Sequence, residues 1–98
     1  MKIKILKSAR QDLREGFWFY ESRQAGLGAY FLETLSSDIE SLKLFAGIHG
    51  VYFGKYHRLL SKRFPFSVYY RIAENEIMVH AVIDCRRNPA WIRNKFSR

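Results

Sequence analysis

The chain has 98 residues, which is room for one hydrophobic core and not for two. Hydrophobic residues make up 48% and aromatics 16%, a composition that excludes a disordered chain. The formal net charge is +8, and the single cysteine, Cys85, excludes an internal disulfide and a cysteine-rich zinc site.

Met1-Lys2-Ile3-Lys4-Ile5-Leu6 alternates charged and apolar residues, the pattern of a strand and not of a signal peptide. No apolar run approaches the roughly 20 residues of a membrane helix, so a cytoplasmic protein is expected. Ser8 followed by Gln11 has capping-box spacing and predicts a helix start. Ala9, Leu13, Phe17 and Tyr20 then recur at helical spacing. Gly16 should weaken this helix by about 1 kcal/mol relative to alanine. Gly26-Leu27-Gly28 should break it near residue 25. A second helix is expected from about Ala29 to Ala46, with Phe31, Leu35, Ile39, Leu42 and Ala46 as its apolar stripe. Two amphipathic helices joined by a short link should pack as an antiparallel hairpin. Residues 47–54, with Gly47, Gly50 and Gly54, read as a loop.

Three strand signals follow. Tyr56 to Leu60 is the weakest. In Phe64 to Ile72, Phe66, Val68, Tyr70 and Ile72 alternate with Ser67, Tyr69 and Arg71, and Pro65 stands at the start, where proline is tolerated. Ala73 to Glu76 is a turn. In Glu76 to Cys85, Ile77, Val79, Ala81 and Ile83 should face one way and Met78, His80, Val82 and Asp84 the other. After Asn88-Pro89 comes a short helical tail that runs to Arg98. The expected fold is α+β with the order β-α-α-β-β-β: one domain over residues 1–98, an antiparallel-dominated sheet covered on one face by the helical hairpin, and a basic tail from about residue 86. Its core would draw on Ile3, Ile5, Leu13, Phe17, Phe31, Leu35, Ile39, Leu42, Phe66, Val68, Ile72, Ile77, Val79 and Ile83. The other sheet face would lie exposed, carrying Tyr69, Arg71 and His80, with Arg58 near its edge.

Charge is unevenly spread. Up to Gly54 the chain is nearly neutral. Beyond it come Lys55, Arg58, Lys62, Arg63, Arg71, Arg86, Arg87, Arg93, Lys95 and Arg98, opposed only by Glu74, Glu76 and Asp84. Such a field favours a polyanionic partner, whether nucleic acid or an acidic protein segment; the alternative is a solvated surface that aids solubility.

Three pieces of the sequence carry a family likeness. Ala9-Arg10-Gln11-Asp12-Leu13 opens the first helix, and Tyr56-His57-Arg58-Leu59-Leu60 places an arginine-leucine pair in a strand. Phe64-Pro65-Phe66-Ser67-Val68-Tyr69-Tyr70-Arg71-Ile72 is followed by a turn, an apolar strand and Arg86-Arg87-Asn88-Pro89. In this order they resemble the RelE/ParE toxin superfamily of type II toxin–antitoxin systems, with the last piece most similar to ParE-like members. The resemblance implies a toxin neutralised by a cognate antitoxin, whose tail would cover the groove between hairpin and sheet. Operator DNA would be reached only through the antitoxin. ParE-like members poison DNA gyrase and do no chemistry of their own; RelE-like members cleave mRNA on the ribosome.

Cleavage of RNA by its 2′-hydroxyl needs an acid, a base and cations around the phosphate. Arg58, His57, Arg71, His80 and Arg86 are the candidates here. Ser67 stands where a catalytic arginine is expected, and the tail has Trp91 and Phe96 but no tyrosine. The set is partial, which favours the gyrase poison. Contacts to that target would come from Arg58, Arg71, Arg86, Arg87, Trp91, Arg93 and Lys95. Trp91 either docks on the domain or inserts into a partner. Trp18 and Phe19 extend the first helix's apolar surface and, with Tyr69, are candidates for antitoxin binding. His80 otherwise reads as a hydrogen-bonded strand histidine and His57 as a surface one, His49 has no assigned role, and Cys85 reads as a small buried side chain. A degenerate member that only binds antitoxin is a third reading. No cofactor is expected, and no metal, because no ligand spacing stands out.

Overall fold

The computed structural model describes residues 1–97; Arg98, the last cation of the basic tail, lies outside them. Strand β1 (Lys2–Ile5) leads into helix α1 (Lys7–Glu21). Among the described residues no side chain caps α1. Leu6 occupies the cap position in an extended conformation, and the Ser8 hydroxyl instead donates to the carbonyl of His80 at 2.7 Å. Gln11 is likewise drawn to its own helix, donating to Glu15 and accepting from Arg14. The expected capping box is therefore absent, because a tertiary acceptor takes the serine.

α1 ends at Glu21, earlier than the glycines suggest, and Glu21 then performs a capping role of its own. Its carboxylate accepts the N–H groups of Gly26 and Gly28 at 2.9–3.1 Å, satisfying donors at the start of α2 (Leu27–Glu40). Gly16 is explained by packing. A Cβ there would stand 2.5 Å from the ring of Phe31, the fully buried anchor of α2. The expected second helix is divided at Ser41, with the short α3 (Leu42–Phe45) continuing it. Leu42 is buried there, while Leu44 and Phe45 face solvent.

The rest of the chain builds the sheet: β2 (Val51–Tyr52), β3 (Tyr56–Leu60), β4 (Phe66–Ala73) and β5 (Glu76–Asp84), then helix α4 (Pro89–Lys95). β2 lies within the segment expected to be a loop. Strand order is β1-β5-β4-β3-β2, with β1 parallel to β5 and all other neighbours antiparallel. Glu74 and Asn75 both take positive φ between β4 and β5, the conformation of a tight hairpin turn. Asn88 caps α4 through its side-chain oxygen, and Pro89 stands at the helix start. Among the described residues no helix is long and apolar enough to cross a membrane.

One irregularity decides what the sheet faces carry. Tyr69 pairs with Ala81 but Tyr70 pairs with Val79, so His80 is an extra residue in β5. A bulge of one residue inverts every side chain beyond it. Ile77 and Val79 pack toward the hairpin as expected, but past the bulge Val82 takes that side while Ala81 and Ile83 turn away. The hairpin-side core comprises Ala9, Phe31, Leu35, Ile39, Leu42, Phe64, Phe66, Val68, Tyr70, Ile77, Val79 and Val82, with Ile3, Ile5 and Leu13 packed against it. Ile83 is thus moved out of the expected core, and Ile72 lies at its margin, 37% exposed. Phe17 sits in a surface hollow with Leu13 and Leu32.

The second face is not open. Tyr56, Tyr69, Ala81 and Ile83 form a smaller cluster covered by Ile92 and Phe96 of the tail. The Phe96 ring lies 4.7–4.9 Å from those of Tyr69, Tyr56 and Phe53.

Candidate functional site

β3 distributes its side chains by strand alternation. Tyr56 and Arg58 take the α4 side, and His57 takes the hairpin side. Across the sheet Arg58 is registered with Tyr69, and its guanidinium lies 4.1 Å above the ring of Tyr52. Lys55 approaches the Tyr56 ring, and the ring of His80 meets Tyr56 edge-on at 5.1 Å. Burial lowers the pKa of His80, and the positive charges of Arg71 and Lys55 lower it further. Arg58, Arg71, Lys55 and the bulged His80 therefore share one neighbourhood. Arg58 Nε and His80 Nε2 are buried there with no hydrogen-bond partner among the described residues.

The remaining members of the proposed cleavage set lie elsewhere. His57 stacks on Tyr70, with ring centroids 5.1 Å apart, and its Nδ1–H donates to the carbonyl of His49 at 2.8 Å. Arg86 lies beyond the end of β5 on the hairpin side. It forks onto Asp84 at 2.7–3.0 Å and approaches the hydroxyl of Tyr20. That fork holds the Asp84 carboxyl below its ordinary pKa and raises that of Arg86. The five candidates thus divide into a group of three, a histidine on the opposite face, and an arginine already engaged by a carboxylate.

Tyr69, expected on an open face, is 3% exposed beneath Phe96. Burial raises its pKa, and the neighbouring Arg58 draws it down. Ser67 is also buried, with its hydroxyl 2.9 Å from the sulfur of Cys85. Cys85 itself is exposed, contrary to its expected burial, because it lies just past the last paired residue of β5.

The tail and α1 form a second neighbourhood. Asp12 accepts the Val82 N–H at 2.9 Å and the Lys95 ammonium at 3.1 Å. Burial raises the pKa of Asp12 against both of these contacts. Arg87 lies 4.4 Å above the ring of Trp91, which is 42% exposed. Arg93 faces solvent on the last turn of α4. On α1, Trp18 is 62% exposed and packs edge-on against Phe17, and Phe19 carries Arg23 4.2 Å above its ring.

Several residues of these neighbourhoods carry no motif. Tyr52 and Phe53 lie in the segment expected to be a loop, and Phe96 looked like part of a charged tail. His49, given no role in the sequence, has its Nδ1 on the hydroxyl of Tyr70, which also accepts the Gly47 N–H. Among the described residues no three His, Cys, Asp or Glu side chains cluster as a metal site would require.

No family model matches the sequence, and no curated protein matches it. A chain of a solved structure described as the chromosomal ParDE TA system from P. aeruginosa superimposes with a TM-score of 0.80. The match covers 86% of this chain and 95% of that one at 18% sequence identity. The two chains therefore share one fold.

Proposed function

We propose that this chain is the toxin of a type II toxin–antitoxin pair, of the ParE-like branch, neutralised by a cognate antitoxin and directed against DNA gyrase. The observation that carries the reading is the fold shared with a chain of a ParDE system over nearly the whole of both chains. The division of the cleavage set supports the choice of branch. A ribonuclease needs its acid, base and cations around one phosphate, within hydrogen-bond reach. Here His57 faces the hairpin and Arg86 is engaged by Asp84. A poison that binds and traps needs no such convergence, only exposed contact groups, and Arg87, Trp91 and Arg93 supply these at the tail. Arg58 and Arg71 would add contacts on the sheet.

Purified protein incubated with gyrase, supercoiled plasmid and ATP tests the reading after detergent and protease treatment. Protein-dependent linear plasmid is the expected result. Intact plasmid at large protein excess rejects the gyrase target and turns attention to the ribosome.

A further inference from the structure

Lys62 and Arg63 lie in the loop between β3 and β4, Arg86 and Arg87 follow β5, and Arg23 follows α1. Contacts among these loops place them at one end of the sheet. The Cys85 N–H donates to the Pro65 carbonyl at 2.7 Å and joins the two sheet loops. The Phe64 ring lies 4.9 Å from that of Tyr20 on α1 and 5.5 Å from that of Tyr30 on α2. The Tyr20 hydroxyl in turn feels the charges of Arg86 and Arg23. All of these cations are exposed. The neighbouring acids are committed: Asp84 to Arg86, Glu21 to the N–H groups of Gly26 and Gly28, and buried Asp38 to the Ser61 hydroxyl. Glu15 and Glu33 stand more than a turn back from this end, within α1 and α2. Among the described residues Arg23, Lys62, Arg63 and Arg87 are in no ion pair. The β4–β5 turn at the opposite end carries Glu74 and Glu76 instead.

Three of the free cations are arginines oriented by aromatic rings. Arg23 lies 4.2 Å above the ring of Phe19 and Arg87 4.4 Å above that of Trp91, and Arg63 donates to the Tyr30 hydroxyl at 3.2 Å. A guanidinium ordered in this way loses little freedom on binding, and its planar fork of N–H groups matches phosphate oxygens.

We infer that this end of the molecule grips the phosphate backbone of a nucleic-acid duplex. Stacking of unpaired bases is disfavoured. Phe19 and Trp91 already hold guanidinia, Tyr20 meets Phe19 edge-on and Lys95 approaches Trp91, so neither ring offers a clear platform. An acidic peptide is disfavoured on the same ground, since it would need an apolar anchor between its charges. A duplex needs neither, because its evenly spaced backbone charges supply the affinity without base contacts. Naming the duplex as the DNA of a gyrase complex rests on the proposed function; the chemistry of the surface does not.

Fluorescence anisotropy of a labelled mixed-sequence DNA duplex of about two helical turns, titrated with the full chain at several salt concentrations, tests this. Each phosphate gripped contributes about −0.9 to the slope of log K against log salt, so four contacts give about −3.6. Affinity should then fall roughly a hundredfold between about 50 and 200 mM salt. Lys62→Ala combined with Arg63→Ala should bring the slope to about −1.8 and weaken binding about tenfold or more at low salt. Lys2→Gln combined with Lys4→Gln removes the same charge from the far edge of the sheet and should leave the slope unchanged. The inference is overturned by no binding at low salt, by equal losses in the two double variants, or by tighter binding of either an oligothymidylate of equal length or polyglutamate. Linear plasmid in the gyrase assay with no duplex binding would sink this surface alone, and duplex binding with intact plasmid would sink only the gyrase target.

Discussion

Lys95 crosses 83 positions of chain to set its ammonium 3.1 Å from the carboxylate of Asp12, which also accepts the backbone N–H of Val82. One mostly buried acid thus ties α1, β5 and α4 together. Burial lifts its pKa above the ordinary 3.8, so the folded state holds this proton more tightly than the unfolded chain does. The stability that follows is fully present below 3.8 and is lost as pH rises through the raised value. Asp12→Asn keeps an acceptor for Val82 and removes the titration. Melting temperatures across acidic and neutral pH should show the native protein gaining on the variant as pH falls. A constant difference would mean that the charged form carries no burial cost.

Phe96 should hold α4 more strongly than the ion pair does. Its ring touches three aromatics across the second sheet face, whereas Lys95 remains partly solvated. Phe96→Ala should cost about 2–3 kcal/mol in urea unfolding, below the full-core range because the ring is only half-buried. Limited proteolysis should then cut within residues 86–97 at a faster rate. Cleavage at the native rate would mean that other contacts dock α4.

Gly16→Ala offers a choice between two opposed effects. Helix propensity favours alanine by about 1 kcal/mol. The added Cβ would meet two atoms of the Phe31 ring at 2.5 and 2.6 Å, and overpacking of this kind costs about 1–3 kcal/mol. Phe31 has no room to retreat, since Tyr20, Phe64 and Phe66 all pack on its ring. Net destabilisation is expected, read as a lower denaturation midpoint; a higher one would show that the ring moves freely.

His49 and His80 both have pKa values lowered from 6.5, chiefly by burial, so the folded state resists their protonation. Their contribution is full above pH 6.5 and falls away as pH drops through the lowered values. The native protein should lose melting temperature in that window. The double variant His49→Gln, His80→Gln should show a flatter dependence, even where it starts lower through loss of the Tyr70 contact. An equal slope in both proteins would place the acid sensitivity elsewhere.

Under the proposed function, translating ribosomes supplied with this protein should keep their mRNA intact, as read by primer extension. Site-specific cleavage would require the divided groups to act together. In that event Arg58→Ala combined with Arg86→Ala should abolish it without loss of fold, and survival of cleavage in that variant would exclude both residues from the mechanism.

β4 could be read from the sequence because its alternation is unbroken from Phe66 to Ile72, and the hairpin because Phe31, Leu35 and Ile39 keep strict helical spacing. β5 could be read only to Val79. A bulge leaves no mark in the pattern, since Ala81, Val82 and Ile83 are all apolar and either phase looks acceptable. The covering of Tyr69 was hidden for another reason. Ile92 and Phe96 are single apolar residues in a charged tail, and short segments announce their docking only through tertiary contacts. The division of the candidate site follows from strand alternation at His57 and Arg58, which was legible, and from the fork of Arg86 onto Asp84, which was not.

The parallel pairing of β1 with β5 sets a timetable for the nascent chain. Residues 2–5 emerge before the rest of the sheet, yet among the described residues their sheet partners are residues 76–79. The helical hairpin is made in the interval and can form through local contacts, but its apolar stripe has no sheet to rest on until β4 and β5 arrive. During that wait the first strand is a solitary edge, and Lys2 and Lys4 within it discourage pairing with a neighbouring chain. Assembly of this small protein should therefore be late and concerted, with the first strand closing the sheet from its far edge once the last strand is in place.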